Sequence, residues 1–310
     1  MRLVRPLALG VVILSRPLLV LATEAPAPGK PGEARPTAAE ILRRAEEIRN
    51  PDLDYAVEVA VLSRSPEGRT PERASSFTLI SHGRSNTMLL RRTPPVIADS
   101  VFLIAGGKRW ALMPRASKPT ELVEGRVIYS EIGSSDLARL DLSAGWTVTL
   151  LGEEKFEDDP CYKLELKWSG GEELYTRVVY WIGKSGFLPR RLDFYGTKPE
   201  RLLQMARYEK FQDTSLGLRP TRMVVEGGNS WEEMKILDFS DPRRAETGSV
   251  TYSPEGMMRF RDVATAKREP GAGSHASAES ILAALAAPSP RPIAAEPAPP
   301  ARKPAPGDTP

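Results

Sequence analysis

Residues 175–196 read YTRVVYWIGKSGFLPRRLDFYG. Two apolar, aromatic-rich runs flank Gly183-Lys184-Ser185-Gly186, the pattern of a β-hairpin. Successive strand residues point to opposite faces, and β-branched and aromatic side chains suit a pleated surface. On that alternation Tyr175, Val179 and Trp181 share one face with Arg177, and Val178, Tyr180 and Ile182 share the other. Both faces are apolar, so this strand is expected to be covered on both sides. In the second run Leu188, Leu192 and Phe194 fall on one face and Arg191, Asp193 and Tyr195 on the other. Pro189 donates no backbone hydrogen bond and suits the start of a strand. Gly183-Lys184-Ser185 also resembles the end of a phosphate-binding loop. That motif needs a glycine five residues before its GK pair and a helix after it; position 178 is Val, and a strand follows. The segment is a turn.

Outward from the hairpin, the chain ends are of a different character. Arg2 and Arg5 precede an apolar stretch from Leu7 to Leu21, interrupted by Arg16 and Pro17, with a small-residue site at Val20-Leu21-Ala22. Residues 1–22 are therefore expected to be a secretory signal peptide, with the mature chain beginning near Thr23. The apolar run is too short to span a bilayer, which takes roughly 20 residues, and no later stretch is long enough. With no Cys at the cleavage region, no lipid anchor of the bacterial type is expected, and the mature protein is placed in the periplasm. Residues 23–36 read as a linker. Residues 267–310 are rich in Pro and Ala and are expected to be a disordered tail. One helical island in it, Ala278 to Leu285, is either frayed or a weak docking segment, with fraying preferred.

Residues 37–266 form the expected domain, about 230 residues, long for one domain but normal for a single large sheet or barrel. It starts with a helix. Thr37-Ala38-Ala39-Glu40 is a capping box, and Ile41, Leu42, Ala45 and Ile48 follow at helical spacing opposite Arg43, Arg44, Glu46 and Glu47. Asn50-Pro51 stops it. Its apolar stripe is either ordinary core or a movable cover. Strand signals then recur to Phe239, about twelve in all, broken only by a short helical stretch at Asp136–Leu142. Short turns between them argue an antiparallel meander, and a sheet this large curls or closes to avoid long exposed edges.

Chemistry is scarce. The chain has 2 histidines, His82 and His275, and 1 cysteine, Cys161, from which no zinc site of ordinary spacing can be built. There is no G-x-S-x-G elbow, and His82 would be the only triad histidine in the domain. Glu153-Glu154 and Asp158-Asp159 lie together in a polar turn, where solvated charges are the simpler reading. Cys161 is expected to pack on its strand. Arg pairs are scattered and the net charge is only +3, so no nucleic-acid footprint stands out. No enzyme activity and no cofactor or metal are expected.

The stretch from Tyr129 to Val225 resembles the outer-membrane lipoprotein-sorting protein family, the relatives of the periplasmic carrier LolA. The residues that carry the resemblance are Ser134-Ser135-Asp136-Leu137-Ala138-Arg139-Leu140, Tyr162 to Leu166 and Tyr175 to Ile182. Leu188-Pro189-Arg190-Arg191 with Phe194-Tyr195, and Tyr208, continue it in the same order, and Trp110 to Pro114 resembles an aromatic strand followed by proline. Gly196 follows the Phe-Tyr pair directly, where the family has a short gap.

The resemblance implies an incomplete, half-open antiparallel β-barrel of about eleven or twelve strands. An N-terminal helix and a short internal helix would cover its apolar groove, and the groove would hold acyl chains of lipoproteins or another lipid. Burial of each acyl CH₂ is worth roughly 0.8 kcal/mol, and no catalytic group is needed. The expected groove residues are Ile41, Leu42, Ile48, Trp110, Trp181 and Phe194. The first three lie on a helix read as a lid, and the others are assigned to the wall by alternation. The alternative is a monomeric binding or sensor module of the same fold that assists an inner- or outer-membrane envelope protein or exporter.

Overall fold

A computed structural model describes residues 35–65, 72–122, 138–170, 174–197, 201–227, 230–267 and 276–287, with backbone only at 230–233. The signal peptide, nearly all of the linker, Ser134–Leu137 and the Pro/Ala tail beyond 287 lie outside the described residues.

Helix α1 spans Ala38–Arg49. The Thr37 hydroxyl accepts from Glu40 N at 3.2 Å, which caps one of the helix's orphan amides. The Glu40 carboxylate does not reach back as a full capping box would. It pairs with Arg44 at 2.6 Å, as Glu47 does with Arg43, on the outward side of the helix. The inward side is Ile41, Leu42, Ala45, Glu46 and Arg49, all buried.

The first strands are β1 (Tyr55–Arg64), β2 (Arg73–His82), β3 (Asn86–Thr93), β4 (Val101–Ala105), β5 (Lys108–Leu112) and β6 (Thr120–Glu121). After residue 145 come β7 (Trp146–Phe156), β8 (Asp159–Trp168), β9 (Arg177–Gly183), β10 (Pro189–Tyr195), β11 (Leu202–Thr214), β12 (Gly217–Gly227) and β13 (Ser230–Phe239). All are antiparallel, in the order β6-β5-β4-β3-β2-β1-β13-β12-β11-β10-β9-β8-β7. Each half is a meander, and the two halves join where β1 meets β13, with Val59 opposite Phe239. A two-residue strand, β14 (Arg243–Arg244), adds to the start of β1. β6 and β7 are the free edges, so the sheet is not closed. It is the half-open barrel the sequence implied, with fourteen strands; β6 and β14 are too short to show any alternation. Within the expected helix at 136–142, Ala138 and Arg139 are helical.

The turn and both strands form as read, except that Tyr175 precedes β9 and packs on Phe194 in the inner cluster, not on the face of Val179 and Trp181. Gly183 N donates to Leu188 O at 2.9 Å, Gly186 takes a positive φ of 73°, and Pro189 opens β10.

The inner face of the sheet packs on α1. Val57, Leu79, Leu166, Tyr180, Phe194 and Val225 join Ile41, Leu42 and Ala45 in one apolar cluster. The outer face of β2–β5 carries a second cluster, Ile80, Met88, Leu90 and Leu103, covered by helices α2 (Pro254–Ala266) and α3 (Ala278–Ala286). Neither helix behaves as tail. Ser253 and Ser277 cap them, and Phe260 (1% exposed) and Ile281 (0%) are as buried as any core residue. The island at 278–285, expected to fray, is a packed helix because the sheet's outer face needs a cover. Arg92 fastens its start by donating to Ala276 O at 2.6 Å.

Candidate functional site: an apolar groove under helix α1

The inward side of α1 carries two charges into an apolar cluster. Glu46 and Arg49 pair with each other, Nε to Oε1 at 2.7 Å, and both side chains are fully buried. Burial alone would lower the Arg49 pKa, but the Glu46 carboxylate beside it outweighs that and raises it well above the ordinary value. Tyr180 and Tyr208 face this pair. Burial pushes both phenols up, so both stay neutral. Arg49 also donates to the carbonyls of Ala138 and Leu140, which ties the end of α1 to the segment after residue 137.

Arg139 makes the second tie. All five of its guanidinium N–H groups are used. Nε donates to Thr87 Oγ1 at 3.1 Å; one terminal nitrogen donates to Asn50 Oδ1 and to Tyr55 Oη, the latter at 2.8 Å. The other donates to Ser81 Oγ and to Gly83 O at 2.5 Å. Every acceptor is neutral, and the residue is only 3% exposed. Asn50, the C-cap of α1, returns a bond from Nδ2 to Arg139 O at 3.3 Å.

Between the end of α1, β1 and the β11–β12 turn lies a small cleft of about 60 Å³. Its lining is apolar (Val57, Leu79, Leu216, Phe239) apart from Arg49, Arg139, Arg219 and a few hydroxyls. That is room for about two waters, at roughly 30 Å³ each, not for an acyl chain. Under α1 the inner face of the sheet is filled by packed side chains. At the opposite rim Arg44 stacks over Phe187, 4.6 Å from the ring centre, and Phe187 stacks on Tyr162 at 6.2 Å. A larger cavity of about 600 Å³ lies elsewhere, between β14 and α3. Its rim sets Arg243 and Arg244 among Glu58, Asp241, Glu246 and Glu279, so carboxylates outnumber guanidiniums there.

The structure brings three of the six expected groove residues together. Ile41, Leu42 and Phe194 lie in the inner cluster. Ile48 is half-buried and outside it. Trp110 and Trp181 are on the outer face. Trp110 pairs with Leu103 and packs with the cluster under α2, while Ala111 takes the inner position. Trp181 sits opposite Arg191, with Cys161 and Val179. Arg191 and Lys163 stack over its ring at 5.0 and 4.8 Å, and its Nε1 donates to Glu154. That is how the outer side of β9 is covered. Cys161 is buried there, and burial raises its thiol pKa. Of the polar residues here, Glu46, Arg49 and Arg219 carry no sequence motif, and Arg139 belongs to the stretch that carries the family resemblance without being expected as a site residue. Among the described residues no group of three His, Cys, Asp or Glu could hold a metal, and no helix is long and apolar enough to cross a membrane.

Solved structures share this architecture. A LolA superfamily protein from Nitrosomonas europaea matches with a TM-score of 0.63 and 28% identity, over 71% of this chain and 99% of that one. A DUF1329 family protein from Desulfovibrio piger matches at 0.57 and 20% identity, over 68% and 92%. A domain described as an outer membrane lipoprotein-sorting protein from Vibrio parahaemolyticus matches at 0.54 and 16% identity, over 66% and 91%. The fold is LolA-like, a carrier-type fold. A protein-family model described as “Uncharacterized protein” matches residues 83–245, just over half the chain. No curated protein matches the sequence.

Proposed function

The chain belongs to the family of uncharacterized proteins matched over residues 83–245 and has the LolA-like fold, and from that premise we propose that it is a periplasmic carrier of acyl chains, from lipoproteins or other lipids, on their way to the outer membrane. Ile41 and Leu42 line the underside of its lid and Phe194 its wall.

The observation that carries this reading is the make-up of α1. It packs on the apolar inner face of the sheet, yet the two charges on its own inner side neutralise each other. Lifting α1 takes the pair into water together and leaves neither partner behind; what stays is the sheet's apolar side chains, two neutral tyrosines and, at the end of α1, Arg139 and Arg219. An ion pair shared between α1 and the sheet would instead leave an unpaired charge in the groove, at a cost of several kcal/mol. An acyl chain would then replace Ile41 and Leu42 against the same wall, at roughly 0.8 kcal/mol per CH₂ buried.

Mass spectrometry of protein purified from its native envelope should find co-purified acyl lipid. A fluorescent fatty acid added to delipidated protein should raise amide hydrogen exchange in 38–49 and not in the central strands. Lipid-free native protein, with no change of exchange on adding the probe, would overturn the reading.

A further inference from the structure

We propose that the mouth of the groove is a head-group site for an anionic amphiphile, a carboxylate- or phosphate-headed acyl lipid, and that Arg219 is the residue that meets the head group. This rests on the acyl-carrier reading and narrows its ligand class.

The cleft at the end of α1 is lined by three arginines and no carboxylate. The three differ in what they have left to give. Arg49 is neutralised by Glu46. Arg139 is fully committed, with all five donors on neutral oxygens. Arg219, at the start of β12, is not. Its terminal nitrogens donate to Glu47 O and to Leu216 O, the second at 2.7 Å, and its Nε is buried without a hydrogen-bond partner among the described residues. The Glu47 carboxylate is turned away to Arg43, at 2.6 Å. Burial lowers the Arg219 pKa below its ordinary value, the sign of a cation short of compensation.

Two guanidiniums without a carboxylate partner, set in apolar walls, give the cleft a positive potential. An anion there would exchange a neutral carbonyl acceptor for a charge-assisted bond, roughly twice as strong. A buried Nε–H beside a terminal N–H is also the fork that receives a carboxylate or phosphate through two oxygens. The apolar lining around it, Val57, Leu79 and Phe239, suits the first carbons of a chain rather than a free ion.

The same residue links the head group to the lid. Glu47 O is one of the last carbonyls of α1, which have no partner inside the helix and carry partial negative charge. Arg219 is their cap. A head group that takes Arg219 removes the cap and loosens the last turn of α1, so recognition and opening become one event.

The test uses the whole protein at pH 8 with four probes: a fluorescent fatty acid, its methyl ester, an alkyl phosphate of the same chain length, and inorganic phosphate. Wild type should bind the acid and the alkyl phosphate at least about tenfold more tightly than the ester. Inorganic phosphate should not displace the acid. Arg219→Gln should bring the acid to within about twofold of the ester, the lost cap on α1 acting on both probes alike, and Arg219→Lys should keep most of the preference. The ester is thus the internal control for an intact groove. Equal affinity for acid and ester in wild type, or an undiminished preference in Arg219→Gln, overturns the head-group site even if that variant folds poorly, because the wild-type ratio stands alone. Displacement by inorganic phosphate shows a free-anion site and overturns the amphiphile. If neither acid nor ester binds, the acyl-carrier reading itself has failed.

Discussion

Glu46 and Arg49 sit one turn apart on α1 and pair with each other, Nη2 to Oε2 at 2.5 Å, with neither side chain exposed. A buried ion pair is expensive to desolvate, by several kcal/mol per ion, and a helix that only filled a core would do better with apolar residues there. The pair makes sense if the helix leaves. Its desolvation cost is then returned, and it offsets part of the roughly 1.5–3 kcal/mol that each buried Ile or Leu contributes to holding α1 down. On the proposed reading, Ile41 and Leu42 hold the helix down while its buried pair offsets part of that hold, as a lid would need.

Removing one partner should show the cost directly. Glu46→Gln leaves Arg49 buried beside a neutral side chain and should lose roughly 3–5 kcal/mol in urea unfolding. The double variant Glu46→Leu/Arg49→Met removes both charges and should recover much of that loss, though not all, because Arg49→Met also leaves the Ala138 and Leu140 carbonyls without its bonds. It should also slow uptake of an acyl probe, because α1 no longer gains from reaching water. A single variant with an unchanged midpoint would mean that water already reaches the pair.

Helix α3 should be needed for stability. Ile281 is fully buried and Leu285 nearly so, against the outer face of β2–β5. Ile281→Ala should cost roughly 2–5 kcal/mol, and truncation after Lys267 more than that. An unchanged melting temperature on truncation would show that α3 is not docked.

Much of this was legible in the sequence, and the failures have definite causes. Alternation within 189–195 put Leu192 and Phe194 on one face and Asp193 and Tyr195 on the other, and that holds. The same alternation within 175–182 could not say which face of β9 is inner. Pairing decides that. Arg191 lies opposite Trp181 and Phe194 opposite Val178, so Trp181 goes out with Arg191. The turn and the irregularity between Pro189 and Arg191 set this register, and neither has a side-chain signature. α2 did have one, Ser253-Pro254-Glu255 ahead of Met257 and Phe260 at helical spacing. The spacing of Ile281, Leu282 and Leu285 was visible too. Surrounding Pro and Ala argued that it had nothing to cover, and only the assembled sheet shows the apolar outer face it meets. Arg139 stood in the stretch that carries the family resemblance, but its role had no pattern, since its five acceptors come from residues 50–87 and only the fold gathers them.

Asp54 should tie stability to pH. Burial would raise its pKa, but hydrogen bonds from Thr247, His82 and Gly83 N outweigh that and hold it below the ordinary carboxylate value. A folded-state pKa below the unfolded value of about 3.9 gives stability that is present above about pH 4 and lost as pH falls through the folded value. Wild type should therefore be more stable than Asp54→Asn near neutral pH, with the gap closing in acid. Urea midpoints near pH 7 and pH 2.5 check this, and a gap that stays constant would mean that the Asp54 charge is not what is being held.

Arg139 makes the strictest geometric demand in the molecule. Its planar fork meets five neutral oxygens at once, from the C-cap of α1, from β1, from the β2 side of the β2–β3 turn and from β3. Lys keeps the charge but has three donors on a point-like head, so Arg139→Lys strands at least two buried acceptors. Each costs about 1–3 kcal/mol, which puts the loss at roughly 2–5 kcal/mol in spite of conserved charge. The loss should be local as well as global. Arg139 holds both the Oδ1 and the Nδ2 of Asn50 at the end of α1, so amide exchange in the last turn of α1 should accelerate more than in β9 or β10. If charge alone mattered, Arg139→Lys would match wild type in both measurements. Uniform acceleration across helix and sheet would instead make Arg139 a part of the general core, with no special hold on the lid.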